Sequence, residues 1–337
     1  MCPSYQATRN EQDTTRARAN ALREFLTRSP KLNPLDHVEL KEVMDLCLSC
    51  KGCTAECPSN VDMAGLKAEF LHQYHQSNGI PLRARIFANL EQLNRMGSYW
   101  PGLYNFLLTN TITAGLAKGI LGIARERSLP AIHPTTFRNW FQQTKPRPHV
   151  SNGQTLYFFC DEFTNYNDTP IGRKAIELLT GLGYAVKMLE HPESGRAAIS
   201  KGLLPKAKKL ATANVERFAP LISEHSPLVG LEPSAILTFR DEYPRLVPEA
   251  LRKQAEKLSE NCLTIEEFLA REVQAGRISS AHFHNEQKHI LLHGHCHQKA
   301  LSKLEATILV LSLPSRYHVE VIPSGCCGMA GSFGYEA

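Results

Sequence analysis

No basic run in this sequence is longer than Lys206–Lys209, where an alanine interrupts the lysines, and the formal net charge is only +5. A nucleic-acid surface needs a concentrated positive stripe, so that class of partner is set aside. The opening residues, MCPSYQATRNEQDTTRARAN, contain no apolar stretch that a secretory signal would need, and their acidic side chains argue against a transit peptide. Low-complexity sequence is absent as well. With 42% hydrophobic and 21% charged residues, the composition excludes global disorder, a collagen-like repeat and a coiled-coil rod. The 337 residues are too many for a disulfide miniprotein, and at about 150 residues per domain they imply two or three domains.

Cysteine is sparse but unevenly placed: five of the ten fall within the first 57 residues. Such crowding does not staple an extracellular fold; in a cytoplasmic chain it means metal or redox chemistry. Leu103–Ala124 approaches the length of a membrane span, but Asn105, Asn110, its threonines and Lys118 interrupt it. A buried or interfacial helix pair is expected there, leaving peripheral contact with the inner face of the cell membrane as the one membrane role.

The periodicity divides the chain into three. Residues 1–80 read as a small helical unit, with a helix over Glu11–Ser29 whose Arg18, Leu22, Phe25 and Leu26 share one spacing. A short helix over Val38–Leu46 follows, then one starting near Ser59 or Asn60 with Met63, Leu66, Phe70 and Tyr74 on a face. Residues 81–148 read as a helical connector ending in the turn-rich TKPRPHVSNG. From 149 to 337 short apolar runs alternate with helical patterns, the signature of α/β architecture. The overall class is α+β.

The third part looks duplicated. Cys160 ends one apolar run, and ESGR begins 33 residues later at Glu193; Cys296 ends another, and CCGM begins 30 residues later at Cys326. The offsets between copies, 136 and 133 residues, nearly agree.

Cys47, Cys50, Cys53, Cys57 and Pro58 spell C-x2-C-x2-C-x3-C-P, the bacterial ferredoxin run for a [4Fe-4S] cluster. Three thiolates at intervals of three wrap one cluster, with Gly52 expected to relieve backbone crowding. The fourth cysteine, before proline, is carried away and ligates a second cluster. Cys2, before Pro3, has the form of such a tail, so Cys2, Cys47, Cys50 and Cys53 are expected to complete one cluster. Cys57 is then the sole ligand here of a second, and the chain reads as a piece of a longer protein, cut at both ends. A four-cysteine zinc site is the alternative, although zinc ligands usually come as two separated knuckles. Arg9, Arg16 and Arg18 lie near this run, either as cations facing the cluster or as a solvated helix face.

The second constellation joins HGHCHQ (His293–Gln298) to SGCCGM (Ser324–Met329). Cys326 and Cys327, flanked by glycines, can present two thiolates to one metal or cluster, Cys296 a third, and His295 is the candidate nitrogen ligand. A strand alternates its side chains, so at most half of the nearby histidines face Cys296. Cys262 is expected to be a buried apolar residue.

With these motifs in view, residues 2–75 resemble the ferredoxin segment of FAD-linked oxidases of the D-lactate or D-2-hydroxyglutarate dehydrogenase type. Residues 155–336 resemble the cysteine-rich CCG domain shared with heterodisulfide reductase and the iron-sulfur subunits of glycolate oxidase and anaerobic glycerol-3-phosphate dehydrogenase. The resemblance implies an FAD-binding domain or subunit as partner, oxidation of a 2-hydroxy acid there, and transfer of single electrons to a quinone or similar carrier. It also implies an additional Fe-S or metal centre at the CCG site. ESGR in place of the first CCG departs from heterodisulfide reductase; a thiol-disulfide redox subunit is the alternative function, and a metal-stabilised interaction module a third.

Overall fold

A computed structural model describes residues 2–148, 150 and 152–336. The protein is 56% helical and 8% strand, an α+β architecture.

The N-terminal helices arise from caps and apolar spacing. Pro3 opens the helix Pro3–Thr8, and Thr14 caps Thr15–Arg28, its hydroxyl accepting from the Ala17 amide at 3.1 Å. Val38–Asp45, the short Gly52–Glu56 and the long Met63–Asn78 follow. Asp62 caps the last, accepting from the Gly65 amide at 3.0 Å, so this helix starts a few residues later than the sequence pattern suggests. Its buried face carries Met63, Phe70 and Leu71, whereas Leu66 faces solvent. With Leu22, Leu35, Leu40 and Met44 they form a small core on which Cys47 and Cys53 rest.

The run from Leu103 to Ala124 forms two helices, Pro101–Thr109 and Thr111–Leu121. Asn110 divides them: it leaves helical geometry and its side chain accepts from the amides of Ile112 and Thr113. Among the described residues no helix is long and apolar enough to cross a membrane. The pair is less buried than expected, for most of its large apolar side chains are exposed.

In the α/β part, β1 (Thr155–Phe159), β2 (Ala185–Lys187), β3 (Leu228–Gly230) and β4 (Cys262–Thr264) form one parallel sheet in the order β2-β1-β3-β4. Both faces are covered: Leu156 and Phe158 enter one apolar cluster, Phe159, Leu228 and Cys262 the other. A separate parallel pair joins β5 (Lys288–Leu292) to β6 (Tyr317–Val321), in register from Lys288 opposite Tyr317 to Leu292 opposite Val321. The strand-helix-strand order recurs, but the later copy differs from its expected form. β5 stops at Leu292, and Cys296 opens the helix Cys296–Leu301 instead of ending a strand. The cause is Gly294, buried where a β-carbon would stand 2.6 Å from Leu304. The following helical pattern splits at Lys303, whose φ is 73°, into Cys296–Leu301 and Glu305–Leu311.

Candidate iron-sulfur and thiol site

The ferredoxin run folds as a tight loop entering the Gly52–Glu56 helix, with Cys47, Cys50 and Cys53 half-buried. Its sharpest turns fall at Ser49, φ 50°, and Lys51, φ 60°. Gly52 is not strained, and a β-carbon there would meet Cys50 Sγ at an ordinary 3.7 Å, so its part in relieving crowding is smaller than expected. Burial pushes the Cys50 thiol up to about 11 against the Gly52 amide, with Cys326, Cys47 and Cys53 adding to the rise. Burial and Cys47 likewise raise Cys53.

Cys2 is brought to the same corner. The Ser4 hydroxyl donates to the carbonyl of Leu46, next to Cys47, and Arg18 spans from the Val43 carbonyl (Nε, 3.0 Å) to Cys2 Sγ (Nη1, 3.3 Å). Burial works to raise the Cys2 thiol, but the amides of Tyr5 and Ser4 and the Arg18 guanidinium together hold it below the usual thiol range. Of the three arginines singled out from sequence, Arg18 is buried, Arg9 is exposed, and Arg16 is exposed in a 3.0 Å pair with Glu11. Cys57 stands apart at the end of the Gly52–Glu56 helix, its sulfur taking the amides of Val61 and Ser59, which lower it.

At the other constellation, His295 caps the Cys296 helix, its Nδ1 accepting from the His297 amide at 3.2 Å. The Cys296 thiol donates to Cys326, which also takes the Gly328 amide at 3.4 Å. The gift of that proton lowers Cys326 to about 5 and raises Cys296. Lys299 ties the CCG loop to this helix through the carbonyls of Ser324 (2.8 Å) and Gly325 (2.6 Å). Cys327 is exposed, and His295 lies 3.5 Å from Glu232. His282, His284, His289 and His293 remain on the surface.

The two constellations meet. The Cys296–Leu301 helix packs on Gly52–Glu56, buried His297 reaches the Ser49 carbonyl at 3.0 Å, and Cys326 is near enough to act on Cys50. A β-carbon on Gly325 would lie 3.7 Å from both Pro3 and Gln6, so the CCG loop also rests on the helix that Cys2 opens. Lys51, overlooked in the sequence, fastens the junction. It is buried and bonded to Asp241, with Glu242 at 2.9 Å and Asp62 at 3.8 Å; Arg196 also binds Glu242. Burial opposes its charge, and the carboxylates more than offset that.

The earlier copy holds no thiol pair. The Ser194 hydroxyl and amide donate to the two oxygens of buried Glu162 at 2.7 and 3.1 Å, closing the position on itself. Cys160 is buried and its thiol is pushed up to about 12. Cys262 is fully buried, donating to the Leu258 carbonyl at 3.2 Å. Among the described residues no three His, Cys, Asp or Glu side chains stand close enough to hold a single metal ion.

Residues 1–62 match a family described as a 4Fe-4S dicluster domain. Over its whole length the chain is 25% identical to D-2-hydroxyglutarate dehydrogenase of Pantoea ananatis and 24% identical to that of Escherichia coli, covering 36% of each. The chain thus spans about a third of the length of these relatives. Over 70% of the chain it is 25% identical to the iron-sulfur subunit of the anaerobic glycerol-3-phosphate dehydrogenase of Escherichia coli, covering 64% of that protein. No solved structure matches. The chain is an iron-sulfur region related to these oxidoreductases.

Proposed function

We propose that this chain is the electron-relay segment of a flavin-dependent 2-hydroxy-acid dehydrogenase, passing single electrons from FAD on a partner domain or subunit to a quinone or similar carrier. The observation that carries the reading is the convergence of Cys2, Cys47, Cys50 and Cys53 with a buried guanidinium at Cys2. A four-thiolate [4Fe-4S] cluster is anionic and larger than a single ion, so it fits half-buried thiols that flank a cation without meeting at a point. Cys2, Cys47, Cys50 and Cys53 would hold it, and it supplies one-electron steps when bound. Cys57, turned outward, suits a second cluster completed by other cysteines, in keeping with the dicluster description. Anaerobic reconstitution should give broad absorbance near about 400 nm and roughly four irons per complete site; a colourless protein with stoichiometric zinc would overturn the reading.

The quinone step would take place at a bilayer. Trp100, Ile112, Leu116 and Ile120 on and before the two short helices are 72, 81, 68 and 64% exposed, with Leu103 and Phe106 beside them. Exposed Arg85, Arg95, Arg125 and Arg127 flank the segment. An apolar face bearing Trp and bordered by cations suits the surface of an anionic membrane, each basic residue contributing about 1 kcal/mol. Wild type should co-sediment with phosphatidylglycerol vesicles and Ile112→Glu/Leu116→Glu should not; equal binding by both would remove the surface from the reading.

The hydrogen bond between Cys296 and Cys326 favours a second reading, a thiol-disulfide subunit. The Cys326 thiolate would attack a substrate disulfide, expelling one thiolate; deprotonated Cys296 would then attack the mixed disulfide, releasing the other and leaving a Cys296–Cys326 disulfide for two relayed electrons to reduce. A Cys326→Ser/Cys327→Ser variant with intact electron delivery would eliminate a redox role for this loop altogether.

A further inference from the structure

Arg18 lies in a helix exposed on its outer side, yet the residue itself is 1% exposed. Its guanidinium is only partly matched. Nε donates to the Val43 carbonyl at 3.0 Å and Nη1 to Cys2 Sγ at 3.3 Å, while buried Nη2 has no hydrogen-bond partner among the described residues. The nearest carboxylate, Asp13 Oδ1, is 4.0 Å away, and the other Asp13 oxygen is taken by the Thr8 hydroxyl at 2.6 Å. A buried cation with a free donor is costly unless an anion faces it. The other nearby cation, Lys67, spends its ammonium on the carbonyls of Cys47 (2.6 Å) and Asp45 (3.1 Å).

We infer that Arg18 sets the reduction potential of the cluster proposed above: Nη1 donates to the Cys2 sulfur, the spare Nη2 donor is available to the same anion, and the fixed charge favours its reduced form. The inference rests on the cluster reading and goes beyond it. One-electron reduction of the cluster adds one negative charge without a bond to the protein changing, so a cation in a poorly solvated corner stabilises the product more than the reactant. Arg16, exposed and paired with Glu11, is screened by water and should not act this way. Arg18 is therefore a positioning and tuning residue, not a ligand.

The test is a potentiometric titration, followed by electron paramagnetic resonance, of the reconstituted full chain. Arg18→Gln should shift the reduction equilibrium at least tenfold toward the oxidised form, about 59 mV for one electron. Arg18→Lys, which keeps the charge and loses the fork, should shift it part of the way, and Arg16→Gln not at all. An unmoved midpoint in Arg18→Gln at full iron content overturns the inference; if that variant does not fold, an unmoved midpoint in Arg18→Lys does. A wild-type chain that takes up no cluster overturns instead the reading on which the inference stands.

Discussion

The His297 ring and the Ser49 carbonyl, 248 positions apart in sequence, meet at 3.0 Å. One belongs to the helix opened by Cys296, the other to the turn before Cys50. Because the imidazole is 7% exposed and its Nε2–H satisfies a loop carbonyl, the contact holds the ferredoxin loop against the thiol pair.

His297→Ala should therefore loosen the loop, costing about 2 kcal/mol through a cavity and an unsatisfied carbonyl. In iron-free protein near pH 8, alkylation of Cys50, slow because burial lifts its thiol to about 11, should accelerate at least tenfold. Cys57, turned outward, serves as the control whose rate stays constant. Peptide mass spectrometry reads both, and an unchanged Cys50 rate would contradict the bracing role.

Lys51→Met tests the ionic fastening. Removing a buried cation from among Asp62, Asp241 and Glu242 leaves Arg196 and Arg245 to balance three carboxylates. Unfolding free energy should fall by about 3 kcal/mol in denaturant titrations. A loss below about 1 kcal/mol would mean that the remaining arginines already neutralise the site.

Local signals in the sequence were sound where residues answer to their immediate neighbours. TLYFFC reads as β1 because its alternate side chains feed two apolar clusters. Arg18 keeps the spacing of Leu22 and Phe25 because it too points inward, which its charge disguised. HILLHGHC misled, since an apolar run does not announce that Leu304 will press on Gly294 and turn the chain into a helix. The approach of Cys326 to Cys50 and the burial of Lys51 arise from long-range packing between helices, so no local spacing encodes them.

Gly202 gives a steric test of how the helical unit meets the α/β part. Its φ is +70°, and a β-carbon there would stand 2.5 Å from Leu71 Cβ and 2.8 Å from the His72 amide nitrogen. Gly276, φ +73°, has open space around it. Both alanine variants incur the left-handed backbone cost of about 1 kcal/mol, and Gly202→Ala must in addition displace helix backbone. Thermal unfolding should show Gly202→Ala losing at least about 1 kcal/mol more than Gly276→Ala; equal losses would show that the interface yields.

His191 makes stability depend on pH. Burial foremost, with Arg138 adding to it, lowers its folded pKa to about 3 from the ordinary 6.5. Its Nε2 accepts from the Cys160 amide at 3.2 Å, which requires the neutral ring. Between pH 6.5 and about 3 the unfolded chain binds a proton that the folded chain does not, so stability is complete above 6.5 and falls as the solution is acidified. His297, lowered to about 3 chiefly by burial, acts in the same direction. His191→Gln retains an acceptor for the Cys160 amide without a titrating ring. The stability advantage of wild type over this variant should therefore shrink on going from pH 7 to pH 4, approaching about 1.4 kcal/mol per pH unit below 6. Urea titrations at stepped pH measure the difference, and parallel pH profiles for the two proteins would show that His191 is charged in the folded state.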